Sequence, residues 1–174
     1  MNKNKLLNFE IFSTIFTFIL GTILHFTYNW SNNNILIGTF SAVNESIWEH
    51  LKLLFFPMLI TTIIGYFYFN NNISNYLCIR VKSIIISLIF IIIFFYTYTG
   101  ILGKNITFID IGSFFIAVII GNSYTIKKSN NTSSCHNILA LTILILLTLG
   151  FILFTFFTPH IGLFKDPITG LYGI

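Results

Sequence analysis

The sequence predicts an all-α transmembrane bundle of about five spans. Three observations carry that prediction. Of the 174 residues, 55% are hydrophobic and only 8% are charged. The mean hydropathy is +0.86, more apolar than a soluble core of this size requires. Runs of about 20 apolar residues, long enough to cross the hydrocarbon core as helices, recur five times.

The spans are expected near 7–28, 47–69, 80–102, 106–126 and 138–158. The first carries no small-residue cleavage motif and is too long for a signal peptide, so it reads as retained. Pro57 lies within the second span, and Pro159 ends the fifth. The connections are short and polar, so residues 1–174 read as a single integral membrane domain. The tail, 159–174, is too short to span. Asp166-Pro167-Ile168-Thr169-Gly170 has the composition of a tight turn, and a tail this apolar is expected to fold back over the bundle mouth. The asparagine-rich patch 32–34 reads as compositional bias without functional weight.

Lys3, Lys5, Arg80, Lys82, Lys127 and Lys128 fall on one side of this arrangement, and Lys52, Lys104 and Lys165 on the other. The positive-inside rule then places the N-terminus in the cytoplasm and the C-terminus outside. Trp30 and Trp48 fall at the outer interface, where amphipathic rings collect. Cys78 and Cys135 make no disulfide framework, and both fall near the inner face as expected reduced thiols. The partner implied is the lipid bilayer. The net charge is +4, and no basic patch interleaved with aromatics suggests nucleic acid.

Seven of the nine His, Asp and Glu side chains (His25, Glu45, Glu49, His50, Asp110, His160 and Asp166) gather at the outer face, from four different spans. Only Glu10 and His136 remain for the other side. Ionisable groups at membrane depth are costly and commonly mark a site. Helical spacing gives the first span a small and polar face of Thr14, Thr17, Gly21, His25 and Tyr28. The fourth has Asp110, Ser113, Ala117, Gly121 and Tyr124, and the second His50, Pro57, Thr61 and Gly65. Such stripes are expected to face other helices.

Residues 38–52, GTFSAVNESIWEHLK, hold the densest cluster. A capping box explains part of it: the Ser46 side chain would cap the helix while Glu49 reaches back to the Ser46 N–H. It does not explain Glu45 and an adjacent histidine as well. Glu45 and Glu49, four apart, would repel on one helical face unless a cation or proton intervenes. His25, His50 and His160 with a nearby carboxylate suit zinc, with Glu45 or Glu49 as general base and Asp110 orienting an imidazole. No HExxH signature supports this. Ser41 and Ser46 lack a nucleophile-elbow context.

The segments His25-Phe26-x-Tyr28-x-Trp30-Ser31, Asn44-Glu45-Ser46-x-Trp48-Glu49-His50-Leu51-Lys52 and His160-x-x-x-Phe164-x-Asp166-Pro167 resemble an uncharacterised bacterial family, domain of unknown function family 6512. That resemblance extends over essentially the whole chain. It implies a small multi-pass membrane protein and no activity, cofactor or substrate.

The residues themselves point to an outward polar vestibule. One reading is a metal-dependent membrane hydrolase acting on a lipid or envelope substrate. A second is a component of a small-solute or ion transporter, which with five spans needs a homo-oligomer. A third is a scaffold presenting Trp48 and the tail to a membrane partner protein.

Overall fold

In a computed structural model, which describes residues 3–70, 73, 75–130 and 136–174, the apolar runs form five long helices. These are α1 (Lys3–Trp30), α3 (Ile47–Phe69), α4 (Tyr76–Leu102), α5 (Thr107–Lys128) and α6 (Asn137–Phe156). A one-turn helix α2 (Ile35–Gly38) lies in the first connection, and a 3₁₀ turn (Gly162–Phe164) in the tail. The described residues contain no strand, only the bridge between Lys165 and Tyr172. The expected spans begin and end within about one helical turn of these helices. The protein is all-helical, and its described residues include five helices long and apolar enough to cross a membrane.

Local chemistry sets the helix ends. The chain leaves α1 through Asn32 and Asn33, at φ 57° and 59°. Asparagine tolerates this left-handed region better than most residues, so the patch read as compositional bias has a conformational use. Asn34 caps α2, accepting from the Leu36 N–H. Ser46 caps α3 by accepting from the Glu49 N–H. Only half of the expected capping box forms, because the Ser46 N–H donates to Asn44 Oδ1 instead.

Helices α1, α3, α4 and α5 form a four-membered ring in that order, and α6 packs outside it against α3 and α4. The small and polar stripes face inward as expected: Thr17, Gly21, Thr61, Gly65, Ser113, Ala117 and Gly121 are all buried. Ile11, Ile15, Ile19 and Ile23 cover the opposite face of α1 and are exposed. A Cβ on Gly21 would lie 2.7 Å from the Leu53 carbonyl oxygen. Leu53 is four residues before Pro57, which has no N–H to give it, so this bare carbonyl turns toward α1. A Cβ on Gly121 would overlap Ser87 Oγ of α4.

The ring's interior holds an interaction the positive-inside count conceals. Arg80 is completely buried. Its guanidinium donates to Glu10 Oε2 at 2.6 Å and to Asn122 Oδ1 at 2.8 Å. It also reaches Thr62 at 3.1 Å, Thr61 at 3.0 Å and the Met58 carbonyl at 3.5 Å. Asn122 passes the network on to Thr14 at 2.8 Å. Lys52 is likewise interior, with its ammonium 2.5 Å from Glu49. Two charges expected at the membrane faces are therefore core ion pairs. Cys78 is disulfide-bonded, which corrects the expectation of a reduced thiol; Cys135 lies outside the described residues.

Removing one partner of a buried pair leaves an unpaired charge, at a cost of about 3–5 kcal/mol. Arg80→Ala is thus expected to lower the unfolding midpoint in detergent far more than Lys82→Ala, a change at an exposed position of the same helix. Equal shifts would remove Arg80 from the centre of the packing. Reporter fusions after Lys128 and at Ile174 should lie on opposite sides of the membrane, since one span separates them.

Candidate functional site

Three segments meet at the end of the bundle where α1 finishes and α3 and α5 begin. His25 sits one and a half turns before the end of α1. Glu45 lies in the connection just before α3, and His50 in the first turn of α3. His25 Nε2 is 3.7 Å from Glu45 Oε1, and His50 Nε2 is 3.4 Å from Glu45 Oε2. The two imidazole centroids are 5.3 Å apart. One ligand atom from each of the three residues lies within 4.8 Å of the others.

The backbone orients these groups. His50 Nδ1 lies 2.9 Å from the Ser46 carbonyl oxygen. A carbonyl only accepts, so Nδ1 carries a proton, and Nε2 is the nitrogen left to face the Glu45 carboxylate. His25 Nδ1 is buried and has no hydrogen-bond partner among the described residues. The hydrogen bond from His50 holds the Glu45 carboxyl below the usual carboxylate range. Partial burial opposes this, and the charges of both histidines reinforce it.

These groups border a cavity of about 360 Å³ enclosed by α1, α3, α4 and α5. Asp110 lines it from the first turn of α5 and accepts a hydrogen bond from the Tyr98 hydroxyl of α4. Below this polar rim the walls are Leu53, Ile91, Phe95, Phe114 and Phe115.

Of the other expected site residues, Glu49 and His160 do not line this cavity. Glu49 Oε2 accepts from the Val43 N–H at 3.0 Å and pairs with Lys52. Lys52 also donates to the Gly38 carbonyl at 2.8 Å and to Thr155 at 2.9 Å. This pair anchors the connection carrying Glu45 to α3 and α6 from both of its ends. His160 is exposed and stacks on Tyr172, with centroids 4.7 Å apart, outside the three-residue group. Asp110 does not orient an imidazole through any direct bond; the Ser46 carbonyl serves His50 instead. Ser41 is spent on α1: it accepts from the Tyr28 N–H at 3.0 Å and donates to the Leu24 carbonyl. Tyr98 was missed in the sequence because a tyrosine near a helix end has a commoner interfacial explanation.

The tail does fold back over the bundle mouth. Phe164 is buried against Trp48, with centroids 4.7 Å apart, so Trp48 is covered rather than presented. Asn44 donates to the Gly173 carbonyl at 2.8 Å. Asp166 takes the N–H groups of Ile168 at 2.7 Å, Thr169 at 3.1 Å and, more distantly, Glu45 at 3.5 Å. Ile168 reaches the cavity rim.

The fold and this rim define a class: a multi-pass helical membrane protein with a His–Glu–His group at one face. A family model described as a family of unknown function, DUF6512, matches residues 1–174, and the chain belongs to that family. No curated protein and no solved structure matches it.

Burial raises the Asp166 carboxyl, but the N–H groups it accepts outweigh this and hold it below its ordinary range. A depressed carboxyl stabilises at pH values above its unfolded value, and that contribution is lost as pH falls through the folded one. Amide exchange at Ile168 and Thr169 should therefore accelerate once pH drops below about 3.9, the unperturbed aspartate value. Asp166→Asn should make their exchange independent of pH in that range, after correction for intrinsic rates.

Proposed function

We propose that the protein is a metal-dependent hydrolase working at the membrane interface. His25, Glu45 and His50 hold a divalent cation, and the fourth position stays open to water. The single observation that carries this reading is the approach of three ligand atoms to within 4.8 Å of one another. Tetrahedral zinc with bonds of 2.0–2.1 Å requires neighbouring ligand atoms about 3.3 Å apart. The separations of 3.4 and 3.7 Å, each to a different Glu45 oxygen, stand close to that spacing. The set of one atom per residue, which spreads up to 4.8 Å, must contract to hold the ion. Two imidazoles and a carboxylate form a donor set that zinc favours.

Asp110 takes the role first considered for a glutamate base. Its carboxylate lines the cavity and is steadied by the Tyr98 hydroxyl. In hydrolysis the water oxygen bonds to the acyl or phosphoryl centre while its proton passes to Asp110. The bond to the leaving oxygen then breaks, and that oxygen takes the proton from Asp110. One water is consumed and Asp110 is restored. The substrate is a lipid or another envelope component, and the location is a bacterial cytoplasmic membrane with the site facing outward.

One observation favours a second reading. Glu45 offers a different oxygen to each imidazole, the arrangement of a metal-free proton relay in a transporter.

Metal analysis separates the two. The purified protein is expected to carry about one zinc per chain, falling below about a tenth of that in His25→Ala and His50→Ala. His160→Ala should retain the metal. Metal-free protein that couples proton movement to solute flux in vesicles would establish the relay instead.

A further inference from the structure

We propose that the cavity draws its ligand sideways from the bilayer, through a gap between α1 and α5. The ligand is an amphiphile whose polar head is joined to a long apolar chain. This deepens the hydrolase reading and rests on it for the role of the polar rim.

The gap follows from the packing of the two helices. Lower in the bundle α1 and α5 close on each other. Phe18 meets Phe115 with centroids 4.5 Å apart, and Phe114 lies against Gly21. One turn further toward the site, the cavity is lined by Thr22 and Phe26 from α1 and by Ile111 and Phe115 from α5. Phe26 is 44% exposed and Ile111 49%. Both exposed faces belong to helices whose outer surfaces are isoleucine and phenylalanine, so the opening meets lipid. The tail covers the end of the bundle with Phe164 and brings Ile168 to the rim. Lateral access therefore needs no movement of the tail.

Depth selects the same ligand. Helix α3 has 23 residues and α5 has 22. At 1.5 Å per residue they span about 33–35 Å, a few ångströms more than the roughly 30 Å hydrocarbon core. His50 and Asp110 lie in the first turn of their helices, which sets them at the edge of the hydrocarbon. A membrane lipid carries its linkage between head and chain at that level. Polar groups then meet the linkage, and the phenylalanine floor meets the start of the chain. A water-soluble solute would leave that floor unmatched.

Size limits what enters. The cavity of about 360 Å³ lies at the small end of the roughly 300–1,000 Å³ range of pockets that enclose a drug-sized ligand. That accommodates the linkage and the first methylenes, not a whole lipid. The remainder of the chain must stay in the bilayer, and only a lateral opening permits this.

The test uses the full-length protein in vesicles of phosphatidylethanolamine and phosphatidylglycerol, doped with phosphatidylglycerol bearing a diazirine near the start of one acyl chain. After irradiation, cross-linked peptides are mapped by mass spectrometry. Labelling is expected at Phe114 and Phe115 inside the cavity, as well as on lipid-facing Ile23 and Ile116. Thr22→Trp narrows the gap from α1, and Ile111→Trp narrows it independently from α5. Each should reduce interior labelling at least fivefold while leaving Ile23 labelling and the metal content unchanged. Two independent variants guard against a folding defect in either. Interior residues that never label above background, or labelling that both tryptophans leave intact, would overturn the proposal. If metal is present and interior labelling absent, lateral entry fails and the metal reading stands. If labelling behaves as expected and no metal is bound, the amphiphile site stands and the hydrolase reading fails.

Discussion

The Arg80 guanidinium is the interaction on which the bundle depends. In a membrane the helices gain little from apolar burial against one another, because lipid tails are as apolar as their side chains. Orientation must come from close packing and from polar groups that tolerate only one arrangement. A buried guanidinium is strict in this respect: its five N–H groups form a rigid fork, and each must find an acceptor. From α4, Arg80 finds them on α1, α3 and α5. Rotating any of these helices would leave a charge or a donor without a partner.

That constraint reaches the far end through helical geometry. His25 follows Glu10 on α1 by 15 residues, about 22 Å along the axis at 1.5 Å per residue. At 3.6 residues per turn, those 15 positions return to within about 60° of the same direction. His50 and Thr61, 11 apart on α3, return to within about 20°. Fixing Glu10 and Thr61 on Arg80 therefore turns His25 and His50 toward the ring's interior. Lys52 and Glu49 complete the placement by fixing the connection that carries Glu45. The two glutamates that looked like repelling neighbours avoid conflict because Glu45 precedes the helix. One answers to an ammonium and the other to imidazoles.

The spans were legible because hydrocarbon thickness imposes a length on any apolar helix, whatever its neighbours. The inward stripes were legible because small residues at helical spacing serve close packing almost independently of partner. Arg80 was not. Its nearest carboxylate partner lies 70 positions away, and hydropathy alone reads an arginine near a helix start as a loop charge. The same blindness hid Lys52, which sits beside its partner in sequence but is buried by Thr155 and Gly38 from other elements. His25 and His50 were legible as candidates, being costly wherever a helix carries them into the membrane. His160 looked equivalent by composition. Its position is decided by the tail's turn around Asp166, which stacks the ring on Tyr172.

Charge balance gives the hydrolase and relay readings a common root. At the edge of the hydrocarbon, the Glu45 carboxylate must be neutralised locally, since an unpaired charge at that depth is expensive. On the relay reading one imidazole keeps a proton, and the group sums to zero. On the metal reading a divalent cation, the carboxylate and a bound hydroxide also sum to zero, with both imidazoles neutral. The two occupied states carry the same net charge but different numbers of protons on the protein, so cation binding must displace protons. His50 is prepared for either. Its Nδ1 proton is committed to the Ser46 carbonyl, which leaves Nε2 to hold a cation or a proton. The unpartnered Nδ1 of His25 marks the less constrained ring, and its adjustment lets the group accommodate either occupant without moving α3.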